Sequence, residues 1–309
     1  MRFDRRSLLA GAAAAAGISC VPLDQSGPGR LQAKFAILQR SLGGRLGVAF
    51  HRPDSGASLL YRANDVFPTA STFKTSLVAL AMAMEQRGEI DLSDQVSWTN
   101  DDLRAHSPFT RDHATMRASL LELARAAQTV SDNTATNILL DRVGGPPAMT
   151  QFWRSLGDDV SRLDRFETEL NVVIGDDPRD STSPLAMAAN LGRLLRKDAT
   201  SPLDDGRIDR LRRWMVDTGN ALTRVRSGIP AEWIAGDKPG NSGAPPGMGY
   251  LRGDIGFVVD PSGALSTFAA YHQAPVDDPL DADRVDAVFA EIGRTLTSWI
   301  RASSTSLSI

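Results

Sequence analysis

Two kinds of hydrophobic periodicity, in a fixed order, restrict what this chain can fold into. Near the front, Leu46 to His51 and Ser58 to Tyr61 are strand-like runs separated by Pro53-Asp54-Ser55-Gly56, a turn composition, so the pair reads as a hairpin. Near the end, Ile255 to Asp260 and Leu265 to Tyr271 flank Pro261-Ser262-Gly263 in the same way. Between them, from about Phe67 to Trp214, helical spacing dominates, as in Phe73, Leu77, Leu80 and Met84 before Gly88. Helices also bracket the strands. Leu31, Phe35, Leu38 and Leu42 stop at Gly43-Gly44, and Val285, Val288, Phe289, Ile292, Leu296 and Ile300 form one face of a final helix. The two ends therefore read as halves of one sheet, interrupted by a helical insertion, with a cleft between them. The expected fold class is α/β of the α+β type: an antiparallel sheet domain flanked by helices, from residues 21–66 and 214–309, with an inserted all-helical domain at 67–213.

With 309 residues, 42% of them hydrophobic, the chain is long enough for a substantial core. Arg5 and Arg6 precede a short apolar run from Leu8 to Ile18, too brief to span a membrane and right for a signal segment, so residues 1–20 are expected to be a signal peptide of an exported, periplasmic protein. The paired arginines resemble a twin-arginine export signal. Gly17-Ile18-Ser19-Cys20 loosely resembles a lipoprotein processing site, which would make membrane attachment depend on lipidation of Cys20. The formal net charge is −3, and loss of a leader carrying Arg2, Arg5, Arg6 and Asp4 leaves −5, a balance that does not suit nucleic-acid binding. One cysteine excludes an intramolecular disulfide. His51, His106, His113 and His272 lack HxH or HExxH spacing, which argues against a zinc hydrolase, and no cofactor is expected.

Three short motifs carry candidate chemistry. Ser71-Thr72-Phe73-Lys74 opens a helix, and a spacing of three places Ser71 and Lys74 on one face. A hydroxyl beside an amine is an activatable nucleophile, and free backbone N–H groups at a helix start suit an oxyanion. Alone, such a motif is commonly a surface serine and lysine. Ser131-Asp132-Asn133 lies in a short connection between helices, where Asp or Asn would serve as a cap. Lys238-Pro239-Gly240 enters a strand after Trp233-Ile234-Ala235; a lysine there is usually just solvated.

In order and spacing, the three resemble the S-x-x-K, S-D-N and K-T-G elements of the penicillin-recognising serine enzymes. Arg165-Phe166-Glu167-Thr168-Glu169-Leu170-Asn171 resembles the omega loop of the class A serine β-lactamases, and Asp177 to Pro184 resembles its closing segment. The resemblance covers nearly the whole chain after the leader. It implies Ser71 as nucleophile with Lys74 as proton acceptor or electrostatic aid, and Ser131 as donor to the lactam nitrogen. It further implies Asn133 holding the substrate's side-chain amide, Lys238 supplying positive field for its carboxylate, and Glu167 with Asn171 placing the water that hydrolyses the acyl-enzyme. The backbone N–H groups of Ser71 and Asn241 would form the oxyanion hole. Arg165 and Asp180 match the ion pair that closes the loop, and His106 matches a position beside the cleft that is often aromatic. The implied partners are a small β-lactam and a water, acting on a monomer.

The sequence departs from the pattern at Pro239, where the family carries a hydroxyl that helps hold the carboxylate. Residues two apart on a strand direct their N–H alike, so Pro239 should face the cleft edge as Asn241 does, a place where an edge strand tolerates proline. The segment from Asn241 to Tyr250 is longer than the usual turn, which makes Arg252 the second counterpart of the carboxylate-binding arginine after Arg224. Two rivals remain on sequence grounds: a penicillin-binding transpeptidase or carboxypeptidase, against which Glu167 and Asn171 argue, and a protein that captures β-lactams without turnover, which Pro239 keeps open.

Overall fold

A computed structural model describes residues 28–279 and 281–305; the proposed leader and Cys20 lie outside them. Five strands form one antiparallel sheet in the spatial order Ser58–Tyr61, Arg45–His51, Leu265–Gln273, Leu251–Val259, Ile234–Asn241. The two chain ends pair directly, with Val48 opposite Ala270 and Phe50 opposite Phe268. Strand alternation then sorts the side chains. Val48, Phe50, Phe268 and Val258 face the helices Pro28–Leu42 and Ala282–Thr305, where Phe35 and Trp299 lie 5.7 and 6.0 Å from the Phe50 ring. Ala49, Ala269, Ile255 and Phe257 point the other way, into the core of the inserted region.

At the centre of that region runs the helix Lys74–Gln86, buried from Lys74 to Ala83. Its Leu-Val-Ala-Leu-Ala-Met-Ala run has no polar face, as a helix surrounded by others requires. Around it stand helices Leu120–Thr129, Asn133–Arg142, Gly145–Ser155, Pro184–Leu195 and Asp205–Val216. The helix starting at Pro184 also lies on the sheet, where the Thr267 hydroxyl donates to Ala188 O at 2.8 Å. Two details depart from the reading as all-helical. Phe67–Pro68 pairs with Ser181–Thr182, and Gln95–Ser97 with Arg117–Ser119, ladders too short to carry a strand periodicity in sequence. The main strands likewise extend beyond the runs read from sequence, back to Leu251 and on to Gln273.

Candidate active site

Ser71 occupies a 3-10 turn, Ala70–Phe73, that leads straight into the buried helix. Ala70 holds φ +41°, a left-handed conformation that costs a non-glycine residue about 1–2 kcal/mol. Surrounding contacts fix the turn. Thr72 Oγ1 donates to Thr69 O at 2.6 Å and lies 2.8 Å from the Tyr271 hydroxyl, while the Thr69 N–H donates to Asp180 O at 2.8 Å. The strand Ile234–Asn241 crosses so close that a Cβ on Gly240 would sit 2.8 Å from Thr72 Cγ2. Glycine is required there by contact, and Ser71 stays partly exposed at the cleft.

Lys74 is the hub. Its fully buried ammonium donates to Ser131 O at 3.0 Å, Ser131 Oγ at 3.3 Å and Asn133 Oδ1 at 2.5 Å. Glu167 Oε1 also lies 3.0 Å away, as an ion pair set off the hydrogen-bonding angle. These acceptors occupy the ammonium, and among the described residues it makes no hydrogen bond to Ser71, although the two were expected to face each other. Burial pulls the Lys74 amine below its ordinary pKa, with Glu167 opposing the shift. Ser131 reaches the hub because its own backbone is left-handed, at φ +59°. Asp132 serves as the cap: it accepts from Ala135 N–H at 2.8 Å at the helix start and from Thr110 N–H at 2.8 Å. In this tripeptide the central residue caps the helix and the outer two meet Lys74.

Glu167 is held by three hydrogen bonds with two asparagines. Asn171 Nδ2 donates to Glu167 Oε2 at 2.6 Å, and Asn137 clamps its backbone, accepting from Glu167 N–H at 2.9 Å and donating to Glu167 O at 2.8 Å. Asn137 was not singled out in the sequence; its signal was a polar residue one turn beyond Asn133 on the same helix. Glu167 Oε1 and Asn171 Oδ1 are buried acceptors without a hydrogen-bond donor. The neck of the loop is closed by Asp180, fully buried, which accepts from Arg165 Nε at 2.6 Å and from the N–H groups of Asp164 and Arg165 at 2.7 and 3.0 Å. Asp180→Ala strips three donors of one acceptor and should cost about 3 kcal/mol, checked as a fall in thermal midpoint of several degrees. An unchanged midpoint would show the pair to be idle.

The cleft's other wall is the sheet-edge strand. Ser242 N–H donates to Leu251 O, so by alternation residues 240 and 238 turn their N–H groups inward, while Asn241 and Pro239 face the open edge. Proline therefore forfeits no ladder bond. Lys238 is fully buried and donates to Pro239 O at 3.2 Å; burial, then the nearby Lys74 charge, push its amine well below the ordinary range. Beneath it, burial raises the Asp237 carboxyl to about 6, against the pull of Arg226 at 2.7 Å, and burial plus Asp237 raises Asp254 well above the usual carboxylate range. Neither carboxylate was legible as special in the sequence. At the strand's end Arg224 and Arg252 converge on one atom, Asn241 Oδ1, at 2.6 and 2.8 Å. Arg224 is buried and also bonds Gly253 O at 2.9 Å and Asp286 Oδ1 at 3.1 Å, so the first-ranked arginine is the fixed one and Arg252 is half-exposed. His106 stands exposed at the rim; its Nε2 lies 3.2 Å from Val130 O, and its own carbonyl accepts from Asn133 N–H at 3.0 Å. Hydrogen bonds and ion pairs thus join Lys74, Ser131, Asn133, Glu167 and Asn171 in one cluster and Arg224, Arg252 and Asn241 in a second at the end of the edge strand.

A serine at a helix start, a buried lysine–carboxylate pair and a sheet edge that turns the Asn241 N–H outward suit an acyl-transferring serine enzyme. The profile of the "Beta-lactamase enzyme family" matches residues 30–300. The chain is 36% identical to "Beta-lactamase L2" of Stenotrophomonas maltophilia over 84% of this chain and 82% of that protein. It is also 36% identical to a "Beta-lactamase" of Streptomyces fradiae over 96% of both. Among solved structures, an "Ancestral (GNCA) Beta-lactamase class A" superposes with a TM-score of 0.80 at 39% identity, covering 88% of this chain and 99% of that one. The chain therefore belongs to the β-lactamase enzyme family; it is a class A serine β-lactamase, a hydrolase of the β-lactam amide.

Proposed function

We propose that the residues assembled around Lys74 run a two-step hydrolysis with Ser71 as the nucleophile. Ser71 Oγ attacks the lactam carbonyl and gives its proton to the Lys74–Glu167 pair. The C–N bond then breaks, with Ser131 delivering its proton to the leaving nitrogen and regaining one from the Lys74–Glu167 pair through its contact with Lys74, which leaves Glu167 ionised again. Developing charge on the carbonyl oxygen is met by the N–H groups of Ser71 and Asn241. In the second step Glu167 takes a proton from water, the water oxygen attacks the acyl carbon, the ester bond to Ser71 Oγ breaks, and Glu167 returns the proton to Oγ. One observation carries this reading: next to Lys74, Glu167 Oε1 and the Oδ1 of Asn171, which grips Glu167, are buried acceptors without a hydrogen-bond donor, and a water brings two protons. Asn133 holds the substrate's side-chain amide, and Lys238, Arg224 and Arg252 supply the field for its carboxylate. Mixing purified protein with a chromogenic cephalosporin tests the whole: many turnovers are expected, whereas a single burst would indicate an acyl-capturing protein and no reaction would overturn the reading.

Pro239 puts a ring where a hydroxyl could reach the carboxylate. A hydrogen bond to a charged group is worth roughly 1.5–3 kcal/mol, so Pro239→Thr should raise kcat/KM for penicillins by about tenfold or more, mainly through KM. A value unchanged or lowered at equal stability would mean that the two arginines already satisfy the anion.

For the chain as a whole, we read residues 1–20 as an export leader and the product as a periplasmic monomer conferring resistance to β-lactam antibiotics. The mass of protein recovered from periplasmic and membrane fractions distinguishes a cleaved soluble form from one lipidated at Cys20; full-length protein retained in the cytoplasm would refute export. Sedimentation as a dimer would refute the monomer.

A further inference from the structure

We propose that residues 242–250, which lengthen the turn after the third motif, act as a brace for the omega loop, with Met248 as a positioning residue for Glu167. This rests on the reading of Glu167 as the hydrolytic base and names what holds the far flank of its loop. Met248 and Val173 are 3% and 7% exposed although both lie in loops, and the Val173 N–H donates to Met248 Sδ at 3.3 Å. Among the described residues this is the one hydrogen bond that residues 172–176 make outside the omega loop. Next to it, Gly247 turns at φ +81° and passes close to Ile174, whose Cγ2 is 3.5 Å from where a Cβ would stand.

The brace is anchored where it leaves the sheet. Ser242 N–H donates to Leu251 O at 3.1 Å and Leu251 N–H to Ser242 Oγ at 2.8 Å; Met248 N–H closes a turn on Pro245 O at 3.0 Å. Its returning arm is seated as firmly: Ala274 N–H donates to Tyr250 O at 3.0 Å, and Gly249 packs so tightly that a Cβ would lie 1.9 Å from Ala274 O. Behind the omega loop lies a cavity of about 720 Å³ bordered by Phe67, Val173, Asp177, Met248 and Val276. With open space on that flank, Met248 is the contact that spans from the sheet to a residue two beyond Asn171, which grips Glu167. The pins at Arg165–Asp180 and Asn137 secure the neck and Glu167's backbone; the brace secures the stretch after Asn171.

A misplaced base slows the step that uses it and spares the step before. Met248→Ala should therefore lower the deacylation rate about three- to tenfold while acylation keeps its rate, since small displacements of a catalytic group can cost up to about 10²-fold. Intact-mass spectrometry after rapid quenching with a cephalosporin reads both rates, and hydrogen exchange at the Val173 amide should quicken. Met248→Leu, which keeps the bulk and loses the sulfur acceptor, should restore deacylation to within about twofold of the wild type. Parallel loss of acylation and deacylation in Met248→Ala, or wild-type deacylation by that same variant despite faster exchange at Val173, overturns the brace; in Met248→Leu the Val173 amide exchanges faster too, because there the packing and not the sulfur bond holds the loop. If Met248→Ala does not fold, Ile174→Ala at a half-exposed position is read by the same criteria, with a smaller slowing expected. Glu167→Gln run alongside separates the two ideas: wild-type hydrolysis by that variant would refute the base, whereas a trapped acyl-enzyme there with no slowing in Met248→Ala would refute the brace alone.

Discussion

Ser71→Ala should abolish covalent labelling by β-lactams and lower turnover by about 10⁴-fold or more, with the fold intact. The structure separates these outcomes. The Ser71 hydroxyl has no hydrogen-bond partner among the described residues, so its removal orphans no buried group, and the turn is held by Thr69, Thr72 and Tyr271 instead. A substitution of that kind is worth about 0.5 kcal/mol or less in stability, which thermal unfolding would show as a nearly unchanged midpoint. Lys74 keeps all its partners at Ser131, Asn133 and Glu167, so the site's charge pattern survives as well. Retained labelling would place the nucleophile elsewhere, and Ser131, partnered with the same lysine, would be the first residue to examine.

Much of this was legible because each motif states a local physical requirement. The strand runs at both chain ends read as halves of one sheet, and Arg45–His51 does pair edge to edge with Leu265–Gln273, helices covering both faces. The edge orientation of Pro239 followed from strand alternation, a property of neighbours in sequence, whereas the ion pair Arg165–Asp180 was implied by the resemblance of both flanks to the omega loop. What escaped depends on contacts across the chain. Nothing near Asn137 says that its side chain will clamp the backbone of Glu167, thirty residues on. The left-handed backbone at Ala70 and Ser131 is likewise imposed by packing, because neither residue favours it. Asp237 and Asp254 look like ordinary strand-edge acids until the sheet buries them together. The spacing of three between Ser71 and Lys74 was a true statement about a helix face, yet it could not reveal that Ser131, Asn133 and Glu167 would compete for the same ammonium.

That competition determines what Glu167→Gln should do. The amide is isosteric, so Asn137 still holds its backbone and Asn171 still has an oxygen to meet. Lys74 loses the one carboxylate contact within 4 Å that it has among the described residues, and with burial already drawing its pKa down, the neutral amine becomes more populated and can accept the Ser71 proton by itself. Acylation should therefore persist, slowed by no more than about tenfold, a margin set by general-base effects of about 10²–10⁴-fold when the base is lost altogether. Deacylation has no such substitute. Its water needs a base on the Asn171 side of the cleft, and a glutamine cannot take the proton, so this step should fall by the full 10²–10⁴-fold, roughly. The acyl-enzyme then accumulates. Intact-mass spectrometry at steady state should show nearly all the protein carrying one β-lactam, and the adduct should map to the peptide containing Ser71. Free enzyme hydrolysing at the wild-type rate would remove Glu167 from the reaction; an equal slowing of both steps would make it an electrostatic partner of Lys74 instead of the base for water.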